Sequence, residues 1–296
     1  MDNNNHNNTL KWDPVIFNDE WEKAERIDYD NDNNYKRKEL LKSVATHNCY
    51  LTKNTNTCVP TPITYKWFHS QLPQYLKYNK KGMVVLEDFT TDDAIVHYTS
   101  QGYKPVALNF ANGYHVGGGI LVGAAAQEED LCRQYPTLYN SLLDAKENKL
   151  YPIKFGSILI THNVKRVREN RNNGYKIIPN NNITSGFITA AAPNMRIFRN
   201  VNKNFSDFDA DIRKSLDLIF TVPVAKDNYN VCIIGSWGCG AFAPTVPIKR
   251  EVYIRSMASL ILEYANKYGN LYDVISISVP DKTGQNYQTF SKILNK

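Results

Sequence analysis

From Met83 to its end the chain alternates short apolar runs with longer amphipathic ones, and this alternation restricts the fold more than any other property. MVVLEDF reads as a strand and TTDDAIVHYTSQG as a helix, with Thr90 or Thr91 as N-cap and Gly102 as stop. KPVALNFA is a second strand, and Pro136 starts a short helix through Leu143. GFITAAA is a buried strand. DADIRKSLDLIF is a helix with Ile212, Leu216, Ile219 and Phe220 on one face. NVCIIG is a strand, REVYIRSMASLILEYANKYG a helix, LYDVISISV a strand, and Gln285 to Leu294 a closing helix. Residues 157–178 are expected to form a hairpin, because Asn173-Gly174 is a strong two-residue turn signal between VKRVRE and YKII. Elements of these lengths in alternation predict a three-layer α/β fold with a mixed, largely parallel sheet.

The preceding part has a different texture. Residues 1–11 form a polar, Asn-rich tail expected to be disordered, and residues 12–82 a helical extension before a domain spanning 83–296. KRKELLKSVATHN is its clearest helix, Asp28 to Asn34 a polar turn, and Pro60 and Pro62 mark a loop. The net charge of +6 suits a polyanionic partner, but the lysines are scattered, so a solvated surface explains it as well. Cys49, Cys58, Cys132, Cys232 and Cys239 are odd in number and include no CxxC, which predicts buried free thiols in a reducing compartment. No run reaches the ~20 apolar residues of a membrane span, and no signal-peptide pattern occurs. These features predict an intracellular protein, cytoplasmic or nuclear.

Two glycine clusters follow apolar strands, Gly117-Gly118-Gly119 after LNFAN and GSWGCGAF after CII. Ligands of open α/β sheets bind beyond the carboxyl ends of the strands, and backbone N–H groups cradle anions. Two such loops suit the two phosphates of one diphosphate, although each taken singly is equally well a tight turn. Neither cluster has the Lys-Ser/Thr of a P-loop or the spacing GxGxxG. Gln127-Glu128-Glu129 opens a helix eight residues past the glycines, where acidic residues also complement the helix dipole. Adjacent helical side chains diverge by about 100°, so one glutamate performs chemistry while the other orients ribose hydroxyls. His115 is expected to pack within its loop and Cys132 to be a core thiol. Trp237 and Phe242 flank the second loop as core or ligand-stacking aromatics. No HxxxH pair occurs, and no metal or cofactor is expected.

Together these residues closely resemble the microbial-type poly(ADP-ribose) glycohydrolases, whose fold is the macrodomain. The GGG loop, the spacer ILVGAAA and Gln127-Glu128-Glu129 carry the likeness, with LNFAN, DLC, AAAPN and GSWGCGAF in family order. The resemblance implies a three-layer α/β/α domain that hydrolyses ribose–ribose O-glycosidic bonds of ADP-ribose polymers, mainly from the terminus. It implies Glu129 as catalytic acid/base, with Glu128 and Asn112 on the ribose hydroxyls. Gly117, Gly118 and Gly119, with Gly238, Cys239, Gly240 and Ala241, would hold the diphosphate. Gln127 joins the substrate-binding set, and Phe242 would press on the ribose. Val116 stands where many members have proline, which predicts a small change in loop rigidity. The basic stretch KRVRENRNNG is expected to run along the polymer. The implied partners are poly(ADP-ribose) and poly(ADP-ribosyl)ated proteins, with ADP-ribose as product and neither membrane nor direct nucleic-acid binding. The competing readings are an ADP-ribose-binding module, which has no use for Glu129, a hydrolase of single ADP-ribose units on proteins, and a structural scaffold.

Overall fold

The computed structural model describes residues 11–26, 31–69, 80, 82–196, 205–227 and 229–295. Residues 1–10 of the expected tail and 28–30 of the expected turn lie outside these residues. In chain order the elements are α1 (Pro14–Arg26), α2 (Asn31–Leu51), β1 (Thr61–Thr64), α3 (Tyr65–His69), β2 (Met83–Glu87), α4 (Thr91–Ser100), β3 (Pro105–Ala111) and α5 (Gln127–Gln134). There follow α6 (Pro136–Glu147), β4 (Ser157–Lys165), β5 (Thr184–Ala191), α7 (Asp209–Asp227), β6 (Val231–Ile234), α8 (Pro247–Tyr268), β7 (Val274–Ser278) and α9 (Gln285–Leu294). The strands form one seven-stranded sheet in the order β1-β4-β5-β3-β6-β7-β2. The run from β5 to β2 is parallel, whereas β4 pairs antiparallel with both β5 and β1.

Alternation along the central strands divides the core between the two faces of the sheet. Val106, Leu108, Ile188, Cys232 and Ile234 join the core built with α7 and α8, where Ile212, Leu216, Ile254 and Met257 are fully or almost fully buried. Ala107, Ala111, Phe187, Val231 and Ile233 face α4, α5 and α6. Helix α4 starts where its sequence predicts: Asp93 N donates to Thr90 Oγ1, and Thr90 N to Asp93 Oδ2, a reciprocal capping box.

Three expectations need correction. Thr61–Thr64, expected as a loop beside Pro60 and Pro62, is a strand at the sheet edge, where a proline removes no inner ladder bond. The sheet therefore begins before residue 83. Helix α2 already includes Asn31–Asn34, half of the expected turn. The Asn173-Gly174 hairpin is replaced by a wider loop, with one bridge between Arg168 and Ile177 and a 3-10 turn at Arg171–Asn173. Tertiary contacts shape this loop: Trp12 Nε1 donates to Gly174 O at 2.9 Å, and Tyr175 packs edge-on against Phe17. β4 instead takes β1 and β5 as its partners.

The basic stretch in that loop turns inward. Arg166 forms a two-pronged pair with Asp92 at 2.8 and 2.5 Å, and Tyr135 donates to the same carboxylate. Burial pushes the Asp92 carboxyl up while Arg166 pulls it back. Arg168 is fully buried, donating to Asn48 Oδ1 and Tyr175 O and stacking on Trp12, and burial lowers its pKa to about 10. Arg171 lies over Trp21. Arg166 and Arg168 therefore brace the fold and are not available to a polymer, whereas Lys165 and Arg171 are exposed.

Candidate active site

The carboxyl ends of all five parallel strands open into one cleft of about 490 Å³. Asn112 follows β3, Ala192 follows β5, Ser236 follows β6, Ser278 ends β7, and Thr90 and Thr91 follow β2. Helix α5 brings Gln127, Glu128 and Glu129 to its floor, while Gly118 faces them and Gly238, Gly240, Ala241 and Phe242 form the opposite wall.

The first glycine loop is shaped around the two carboxylates. Gly117 and Gly118 have φ of +62° and +57°, the left-handed region that favours glycine. A Cβ on Gly118 would overlap Glu129 Oε1 and stand 3.0 Å from Glu129 Cδ and 3.2 Å from Glu128 Oε2. Gly119 N donates to Glu129 Oε1 at 2.7 Å, and Gly118 N to His115 O at 3.0 Å. These two amides are therefore directed at protein groups and not into the cleft. Gly117 and Gly119 do not line it. The loop thus holds Glu129 in place through Gly119 N and lies in close contact with both carboxylates at Gly118.

Glu128 and Glu129 differ in environment although they adjoin in sequence. Glu128 Oε2 accepts Asn112 N at 2.8 Å, and Oε1 accepts Asn109 Nδ2 at 3.4 Å. Burial pushes its carboxyl up to about 8, against the opposing pull of the Asn112 amide and with a contribution from the Glu129 charge. Glu129 has one oxygen fixed by Gly119 N, while its Oε2 is buried and, among the described residues, meets no hydrogen-bonding group. Glu129 lines the cleft, so a ligand bound there comes within reach of its carboxyl group.

The fold and the sequence of this site have known counterparts. Residues 23–164, just under half of the chain, match the family model of the microbial-type PARG catalytic domain. The fold likeness reaches further. It is similar to the poly(ADP-ribose) glycohydrolase (PARG) of Thermomonospora curvata at 18% identity and TM-score 0.69, covering 86% of this chain and 99% of that one. The same enzyme bound to the inhibitor ADP-HPD gives TM-score 0.67 at 18% identity, with the same coverage. The PARG of Deinococcus radiodurans in complex with ADP-ribose gives TM-score 0.66 at 22% identity, covering 79% of this chain and 93% of that one. No curated protein matches the chain in sequence.

The remaining residues singled out in the sequence divide by what their polar atoms meet. Asn112 Oδ1 accepts Tyr114 N and His115 N in a tight turn, so its amide nitrogen is the atom left to face the cleft. Gln127 Nε2 donates to Thr91 Oγ1 and Leu108 O, and its Oε1 accepts Phe110 N. With both donors engaged, Gln127 ties α5 to β3 and the start of α4. Cys239 is fully buried and off the cleft, its thiol pushed up to about 12 by burial. Cys132 is likewise a core thiol, whereas Cys49 and Cys58 are exposed and not buried as expected. His115 is also exposed instead of packed. Trp237 is fully buried and donates to Ala190 O, so it serves the core. Asn109 was not anticipated. It is a fully buried amide that meets both Glu128 and Thr189, and its signal was a lone polar residue inside the apolar run VALNFA.

Proposed function

We propose that the chain is a poly(ADP-ribose) glycohydrolase, cleaving ribose–ribose O-glycosidic bonds and releasing ADP-ribose mainly from the polymer terminus. The observation that carries this reading is Glu129, with Oε1 pinned by Gly119 N and Oε2 unpaired at the cleft floor. Protonated Glu129 donates to the bridging oxygen as the anomeric C–O bond breaks, so the leaving ribose departs with a hydroxyl. The resulting oxocarbenium-like centre takes up water, whose proton returns to Glu129. One carboxyl thus serves both half-steps. Glu128 and the Asn112 amide hold the ribose hydroxyls, the second glycine loop binds the diphosphate, and Phe242 closes over the ribose. The ADP-ribose and inhibitor complexes of the fold relatives support the same ligand for this cleft. A module that only binds ADP-ribose would have no use for a carboxyl held in this way. The natural substrates are poly(ADP-ribosyl)ated proteins within the cell. Among the described residues, no helix is long and apolar enough to cross a membrane.

Incubation of the protein with ADP-ribose polymer, with chromatography of early time points, tests the reading. Monomeric ADP-ribose should dominate from the start. Abundant short oligomers at low conversion would refute terminal action, and an unchanged polymer would refute the hydrolase.

A further inference from the structure

The second glycine loop contrasts with the first in where its amides point. Among the described residues, Gly240 N and Ala241 N donate to no protein group, and both residues line the cleft. The carbonyls of the same two peptide planes are held from the opposite side. Arg250 Nη2 donates to Cys239 O at 3.0 Å and Nη1 to Gly240 O at 3.3 Å. In a trans peptide the C=O and N–H directions oppose one another, so a guanidinium that captures these carbonyls turns the Gly240 and Ala241 amides away from itself. Beneath the loop, Gly238 has φ +78° and packs so closely that a Cβ would lie 3.0 Å from both Ala192 Cβ and Tyr253 Oη. At Gly240 a Cβ would meet nothing within 4 Å. The loop is therefore anchored at Gly238, and Arg250 is the side chain that sets the orientation of its tip.

We propose that Arg250 is the positioning residue of the diphosphate cradle, aligning the Gly240 and Ala241 amides and adding a cation behind them. The proposal rests on the ADP-ribose reading of the cleft given above. The planar guanidinium fork reaches two carbonyls at once, whereas a lysine ammonium on a flexible stem holds at most one of them in place. Diphosphate contacts away from the reacting carbon bind ground state and transition state alike, so their loss raises KM and leaves kcat nearly unchanged.

The test is amide NMR of the full chain titrated with ADP-ribose, paired with calorimetry and steady-state kinetics. In the unmodified protein the Gly240 and Ala241 amide protons should move downfield on binding. Arg250→Ala should lose those shifts and weaken ADP-ribose by about tenfold, the loss of roughly one charge-assisted contact. KM for polymer should rise in parallel while kcat holds, and Arg250→Lys should fall between the two. Intact amide shifts elsewhere in the spectrum establish that each variant is folded. If the unmodified protein binds ADP-ribose without moving these amides, the cradle fails while the ADP-ribose reading stands; if it binds none, that reading fails and the cradle with it. If the amides move and the affinity is the same with and without Arg250, the cradle stands and Arg250 is not its positioning residue.

Discussion

Replacing Gly118 by alanine separates backbone strain from damage to the catalytic carboxylate. Gly118 holds φ +57°, and a side chain in that region costs about 1–2 kcal/mol. For a chain of this size the cost lowers the melting temperature by roughly 2–3 °C. The new methyl group would also overlap Glu129 Oε1, at 3.0 Å from Cδ, with Glu128 Oε2 at 3.2 Å. Restoring ordinary contact requires the Glu129 carboxyl to retreat by roughly 0.5–1 Å, which breaks its 2.7 Å bond from Gly119 N. A displacement of that size at a reacting group costs about 100-fold in rate. Affinity for ADP-ribose should fall much less, because the second glycine loop is untouched. Gly102→Ala is the matched control, with φ +83° and nothing within 4 Å of its Cβ. It should lower the melting temperature by a similar amount and leave turnover alone. Polymer hydrolysis rates, calorimetry with ADP-ribose and thermal melts of the three proteins measure all of this. A Gly118→Ala enzyme with unaltered kcat would refute the close approach as the device that holds Glu129. Equal loss of turnover in both variants would reduce the effect to general destabilisation.

Three further outcomes follow from the same geometry. Glu129→Gln is nearly isosteric and should lose turnover by on the order of 10²–10⁴-fold or more while still binding ADP-ribose; near-normal turnover contradicts its role. Phe242→Ala should reduce kcat more than ADP-ribose affinity, since an aromatic that fixes the ribose controls the attack geometry; a loss confined to affinity makes it a binding contact only. Glu128, raised from an ordinary 4.5 to about 8, retains its proton in the folded chain while the unfolded chain releases it. Its contribution to stability is therefore lost progressively as pH rises from about 4.5 to about 8, and is flat above that. Melting temperatures of the unmodified protein minus those of Glu128→Gln, measured from pH 5 to 9, should show this decline and plateau; a difference independent of pH would mean that Glu128 is ionised throughout.

Much of the fold can be read along the chain, because its cues are local. The Thr90 cap, the stop at Gly102 and the closing helix Gln285–Leu294 depend on residues within one or two turns of each other. Alternation of buried residues in β3, β5 and β6 likewise follows from the pleat alone. The glycine clusters, the glutamate pair and Asn112 could be located in sequence for the same reason, since their spacing is a property of one short segment.

What only the tertiary structure decides is which group each polar atom meets. Arg166 and Arg168 read as basic surface until Asp92, 74 residues away from Arg166, and Asn48, 120 residues away from Arg168, take their guanidinium groups inside. Thr61–Thr64 is too short and proline-interrupted to signal a strand, and becomes one because β4 offers an edge. The GGG amides and Gln127 read as ligand contacts, yet two of those amides and the Gln127 side chain meet protein partners, while the Gly240 and Ala241 amides, among the described residues, donate to no protein group and their residues line the cleft. Sequence alone determined most of the backbone elements from β2 onward and the chemical groups available, because these depend on neighbours in the chain. The assignment of donors to acceptors waited for the fold, because a hydrogen bond is decided by distances of about 3 Å between residues that the sequence places far apart.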